Sequence, residues 1–185
     1  AAAGYGEDKA IFGYGTTGSK SSLTNLVSNS GVVAADVTGV GTQRYSLAAA
    51  SYGTDKAIFG YGTSGINDDI SLTNLVANTG VVSADVTGVG SARRDLAAAS
   101  YGTDKAIFGY GSNATTNLSM TNLVSNSGVV ASDVTGVGSA RFSLAAAGYG
   151  GDKAIFGYGY IQASTSHVSM TNLVSNSGVV ASDVT

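Results

Sequence analysis

The stretch Tyr52-Gly53-Thr54-Asp55-Lys56-Ala57-Ile58-Phe59-Gly60-Tyr61-Gly62 decides the fold, because the chain contains it four times. The copies start at Tyr5, Tyr52, Tyr101 and Tyr149 and differ only at the third residue, where Glu7 and Gly151 stand in place of threonine. Such near-identity marks a repeat architecture, in which each unit buries its apolar face only against its neighbours. Working outward, the alanine triplets at Ala1, Ala48, Ala97 and Ala145 lie 47, 49 and 48 residues apart. They divide a single domain, residues 1–185, into units 1–47, 48–96, 97–144 and 145–185.

The second unit serves as the type. Residues 47–53 are a short apolar run ending in glycine, and residues 56–62 carry Ala57, Phe59 and Tyr61 at period two; both read as strands. Gly53, Thr54 and Asp55 between them supply the chemistry of a tight turn. Residues 71–77, the turn Asn78-Thr79-Gly80 and residues 81–87 repeat the pattern, so each unit is predicted to hold four antiparallel strands. Apolar residues occupy both parities, as expected of small sheets covered on both sides by neighbouring sheets. Four short strands in about 48 residues match a propeller blade, roughly 40 to 50 residues per unit. The glycines of Phe-Gly-Tyr-Gly are expected to let side chains of the next sheet approach the backbone, and the alanine-rich first strand suits the innermost position.

The order Arg-x-x-Leu-Ala-Ala-Ala-x-Tyr-Gly, turn, Asp-Lys-Ala-Ile-Phe-Gly-Tyr-Gly, variable loop, Leu-rich strand and Asn-Ser-Gly-Val-Val strand resembles a kelch-type β-propeller unit. Arg44, Arg93 and Arg141 hold the place of the arginine that precedes the small-residue strand in that family, and Gly-Tyr-Gly stands where its di-glycine ends the second strand. The phrases Asp-Lys-Ala-Ile-Phe-Gly-Tyr-Gly and Gly-Val-Gly-Ser-Ala-Arg are also similar to repeats in tailed-phage and bacterial proteins. The resemblance implies an all-β propeller and, from the phage likeness, a place on a virion or an extracellular surface. A copper-radical oxidase of kelch type would need a Cys-Tyr crosslink and two histidines, whereas this chain has no cysteine and one histidine.

With 43% hydrophobic and 11% charged residues the chain has material for a real core. Its net charge is -3 and its nine basic residues are dispersed, so neither nucleic acid nor an anionic membrane is an expected partner. Absence of cysteine removes disulfides, thiolate metal sites and thiol nucleophiles. No run approaches the ~18 apolar residues of a membrane helix, and a soluble chain is expected.

Connectors 39–47, 88–96 and 136–144 join the units, and the chain starts just after such a connector and stops just before one. The expectation is a single four-bladed ring; the alternatives are half of a larger ring formed by two chains, or a segment of a longer array. Near-identical units also favour exchange between chains, so a homo-oligomer or assembly with other virion proteins belongs to the same reading.

Antiparallel order places the variable loops and the connectors on one face. The loops, residues 16–21, 63–70, 112–118 and 160–168, differ in length and chemistry between flanks that hardly change. That pattern suits binding loops on a rigid scaffold. Lys20, Asn67, Asp68, Asp69, Asn113, Asn117, Tyr160, Gln162 and His167 are the candidate ligand-contacting residues, and the expected partner is a surface glycan or a protein. Asn67, Asp68 and Asp69 lack the spread spacing of a calcium loop, so neither metal nor cofactor is expected. His167 has no carboxylate near it in sequence, and no catalytic residue is assigned. A noncatalytic structural and interaction module is therefore the expected function, with a self-assembling repeat that takes no small ligand as one alternative. A polysaccharide-degrading enzyme, drawing on Asp68, Asp69 and Asp95, is the rival from another class. Asp36, Asp85 and Asp133 each lie eight residues before Arg44, Arg93 and Arg141. This spacing predicts a carboxylate–guanidinium pair fastening each crossover, with Asp183 left without an arginine.

Overall fold

The computed structural model describes residues 1–185, an all-β chain with one 3₁₀ turn. Strands β1 (Ala2–Tyr5), β2 (Lys9–Thr16) and β3 (Lys20–Val27) make the first sheet, and β4 (Ala48–Tyr52), β5 (Lys56–Gly60) and β6 (Thr73–Val76) the second. The third holds β7 (Ala97–Tyr101), β8 (Lys105–Gly109) and β9 (Thr121–Val124). The fourth holds β10 (Ala145–Tyr149), β11 (Lys153–Gly157) and, after a small hairpin of β12 (Tyr160–Ile161) and β13 (Ser166–His167), β14 (Thr171–Val174). All pairings are antiparallel, with Tyr52 opposite Lys56 and Ala57 opposite Val76 in the second sheet. The first turn works as anticipated, with Gly53 and Thr54 both at positive φ, 60° and 69°.

Each sheet has three regular strands where four were expected. The fourth segment pairs with β6 only at the isolated bridges Val76–Val82 and Thr73–Val86. Its ladder is broken by Asn74, whose side-chain amide donates to the Ser83 carbonyl at 3.0 Å and to the Asp85 carboxylate at 2.9 Å. Asn122 and Asn172 do the same to Ala131 and Asp133, and to Ala181 and Asp183.

Successive sheets pack face to face with their first strands side by side. The Ser51 hydroxyl donates to the Gly4 carbonyl at 2.8 Å and that of Ser100 to the Ser51 carbonyl at 2.9 Å. At the turn end the amides of Gly6, Gly53 and Gly102 donate to the carbonyls of Asp55, Asp104 and Asp152. The cores lie between sheets, one per junction. Phe108 is the type residue: fully buried, its ring lies over Gly60 and edge-on to Tyr61, with centroids 5.2 Å apart. A Cβ at Gly60 would sit 2.7 Å from that ring, so only glycine leaves room for it. Burying one such phenylalanine contributes about 1.5–3 kcal/mol.

Three junctions join four sheets, and the expected closed four-bladed ring does not form. β1 packs on β4, β4 on β7 and β7 on β10, but β10 does not pack back on β1. Phe12 is 51% exposed at one end and Tyr158 63% exposed at the other, whereas their equivalents Phe108 and Tyr61 are fully buried. The junctions are alike, so each imposes a similar displacement, and three of them do not return the fourth sheet to the first.

Gly109→Ala would place a Cβ 2.6 Å from the Phe156 ring, while at Gly157 it would meet only the Thr171 methyl at 3.4 Å. In urea unfolding at low protein concentration, Gly109→Ala is expected to cost about 1–3 kcal/mol and Gly157→Ala less than about 0.5 kcal/mol. Equal midpoints for the two variants would remove the ring-over-glycine account.

Candidate functional site

The face that carries the variable loops is built on the connectors, and each connector is held by a buried arginine. Arg93, fully buried, donates from Nε to the Tyr110 carbonyl at 2.9 Å and from its two terminal nitrogens to the Ser91 carbonyl at 3.1 Å and the Asn122 side chain at 2.7 Å. Its guanidinium lies 4.3 Å from the centroid of Tyr61 in the preceding sheet, an arrangement suited to cation–π attraction. Tyr61 itself sits at φ 63°, where a side chain is rarely found without outside support. Its hydroxyl donates to the Val89 carbonyl at 3.1 Å. One arginine thus joins two sheets to the connector between them.

These contacts correct the expected ion pairs. Arg44 pairs with Asp85, Arg93 with Asp133 and Arg141 with Asp183, at 4.0, 4.0 and 3.8 Å. Each arginine therefore reaches forward to the acid of the following unit, not back to the acid eight residues before it. Asp183 has its arginine after all, and Asp36 is the acid without one; it accepts instead from Asn25 at 2.8 Å. The reason is geometric: the connector crosses from one sheet to the next, and its arginine folds into the sheet it enters. Asn74, Asn122 and Asn172, to which sequence reading did not assign this role, accept the direct hydrogen bonds. Their recurrence in every Thr-Asn-Leu-Val strand was the available signal.

Burial pushes the Tyr61 hydroxyl up to about 12, although Arg93 acts against it. Burial also pushes the Asp85 carboxyl upward, but hydrogen bonds from Thr42 and Asn74 and the charge of Arg44 outweigh it and hold the group below its ordinary 3.8. Asp133 and Asp183 are lowered by the same balance, with Ser91 and Ser139 in the place of Thr42.

Above this layer most of the candidate loop residues are engaged with the protein itself. Lys20 donates to the Ser64 carbonyl of the next loop, and Asp68 accepts from the Ser64 hydroxyl. Asp69 pairs with Arg94 at 2.9 Å and is largely buried. Asn113 turns its own loop by accepting from the amides of Thr115 and Thr116 at 3.0 and 2.8 Å. Asn117 donates to the Tyr160 carbonyl at 3.3 Å, which links the third loop to the fourth, and its side-chain oxygen is buried without a partner. Tyr160 stacks edge-on with His167 at 5.0 Å and with Phe142 at 5.5 Å. Asn67 and Gln162 stay exposed, as does Ile66, which sequence reasoning did not single out.

A groove of about 540 Å³ runs between the third and fourth loops, lined by Thr115, Thr116, Asn117, Ile161 and Gln162 with Ala140 and Ala163. Hydroxyls, amides and small apolar groups make up this lining, with no titratable side chain among them. A second hollow of about 500 Å³ has Phe142, Tyr158, Tyr160 and His167 in its wall. No three His, Cys, Asp or Glu side chains converge into a metal-binding group, and no helix is long and apolar enough to cross a membrane.

No family model matches the chain, and no curated protein matches it. Among solved structures it is similar to that of YjhT, with a TM-score of 0.65 and 11% identity over 87% of this chain. The chain spans 51% of the length of YjhT, and at this identity the likeness is one of fold alone.

Two measurements test the arginine layer. Arg93→Ala is expected to lower stability by about 3 kcal/mol in urea unfolding, and Arg93→Lys to recover little of it, since an ammonium lacks the planar fork. Acid unfolding tests the carboxylates. Their depressed folded-state pKa values supply stability that is present above 3.8 and lost as pH falls through the folded values. Stability should therefore hold constant down to about pH 5 and fall progressively below it, and Asp133→Asn should lessen that fall.

Proposed function

We propose that the chain is a noncatalytic interaction module, a propeller-type array of blades whose variable loop face binds a surface glycan. The observation that carries this reading is the groove between the third and fourth loops. Its wall of Thr115, Thr116, Asn117 and Gln162 offers hydroxyls and amides, the groups that pair with sugar hydroxyls. Neighbouring loops are already tied together by Lys20 to Ser64 and Asn117 to Tyr160, so little ordering would be needed on binding. Tyr160 and Phe142 in the adjoining hollow add aromatic surface of the kind sugars stack on.

The strand order within each sheet, the alanine-rich first strands packed side by side and the resemblance to kelch units support the propeller-type reading. The likeness to repeats of tailed-phage proteins supports display on a virion or cell surface. The groove lining of hydroxyls, amides and small apolar groups suits binding and supports the noncatalytic reading. On the loop face the acids outside the repeated set have other engagements: Asp68 with Ser64, Asp69 with Arg94, and Asp95 at 3.9 Å from Arg94. A protein partner is the second reading, favoured by Ile66, which stands 93% exposed at the tip of the second loop.

Binding to an immobilised glycan panel tests the proposal. At least one glycan should bind, and Gln162→Ala should weaken it ~tenfold, about 1.4 kcal/mol, with unchanged unfolding. Absence of binding across the panel, or release of new reducing ends from a bound polysaccharide, would overturn it.

A further inference from the structure

We infer that the two outermost sheets are matching halves of one interface, and that a second copy of this chain docks its first sheet on the fourth sheet of its neighbour, head to tail. The sheet faces involved are separate from the loop groove.

Three contacts recur at every internal junction, and each leaves one unmatched half at either end of the chain. The first is the phenylalanine ring: Phe59 lies against Gly13 and Tyr14, Phe108 against Gly60 and Tyr61, and Phe156 against Gly109 and Tyr110. Phe12 remains exposed with no glycine to cover, and Gly157 with Tyr158 remains without a ring. The second is a turn glycine seated on a tyrosine and a leucine: Gly80 on Tyr5 and Leu26, Gly128 on Tyr52 and Leu75, Gly178 on Tyr101 and Leu123. Gly31 meets nothing, while Tyr149 and Leu173 are each 41% exposed. The third is the amide-to-carbonyl bond at the first turn, made by Gly6, Gly53 and Gly102 to Asp55, Asp104 and Asp152. It leaves the Gly150 amide at one end and the Asp8 carbonyl at the other. In these three contacts, each half missing at one end is present at the other.

The two ends of one chain do not meet, and a second copy carries the complementary face. Such a contact is heterologous, and it either closes a ring of two copies or continues as a filament. One part of the internal junction is missing from it. Asn25 and Asp36 are already hydrogen-bonded to each other as Asn74 and Asp85 are, but no connector arginine reaches them. The contact between copies is therefore weaker than an internal junction and depends on concentration.

Light scattering over a range of concentrations is the test. The mass should rise from 18.2 kDa with concentration. Phe12→Ala and Gly157→Val should each remain monomeric, and each should unfold as the wild-type monomer does. Mixed together, they should form a dimer that grows no further, since the intact Phe12 face of one variant meets the intact Gly157 face of the other. A wild-type chain that stays at 18.2 kDa at every concentration overturns the inference, as do single variants that associate like the wild type. So does a monomer whose Asn25 side-chain amide resonances shift on addition of the peptide GVGSARFSL, because the outer face then belongs to a further unit that carries its own connector.

Discussion

A phenylalanine ring laid on the bare backbone of the preceding sheet is the contact on which the rest depends. At each junction the ring takes the space where a Cβ would stand on Gly13, Gly60 or Gly109, and a tyrosine closes it in from the side. Sheets this small bury little by themselves, since the apolar residues of each strand point to both faces. Stability therefore resides between units, and a unit without a neighbour leaves its aromatic residues in water, as Phe12 and Tyr158 show.

The buried arginines complete that contact. A guanidinium removed from water needs its hydrogen-bond donors met, and Arg93 finds carbonyls at Ser91 and Tyr110, an amide oxygen at Asn122, a tyrosine face and a carboxylate. Because these groups come from two sheets and the connector, the charge is satisfied only when the units are correctly juxtaposed. The requirement makes the layer a device for register as much as for stability. The loop face inherits its rigidity from this layer, because each connector bridges to the start of a variable loop, through Tyr45–Thr63, Arg94–Ser112 and Phe142–Tyr160.

Much of this was legible in the chain. The fourfold string announced the units, the turn residues placed the hairpins, and the glycines of Phe-Gly-Tyr-Gly signalled close approach by a neighbouring sheet. Segregation of the loops and connectors to one face followed from strand order. The fourth strand was not legible, because it is broken by the side chain of Asn74 competing with the backbone ladder, a contact invisible to period-two patterning. The arginine pairs were placed one unit too early, since sequence distance favoured Asp85 for Arg93 while the crossover carried it to Asp133. Lys20, Asp69 and Asn117 were read as free for ligand, but loop-to-loop proximity gives them partners that spacing cannot reveal.

The sequence by itself determined the unit, its first three strands and the like-with-like packing of one unit on the next, because these follow from local turn chemistry and from repetition. Only the tertiary structure decided that four units stay open, which acid each arginine meets and which loop residues remain exposed. Those outcomes depend on the relative placement of neighbouring sheets, which is set by the Phe–Gly–Tyr layer between them, and placement accumulates over several units in a way that no single repeat encodes.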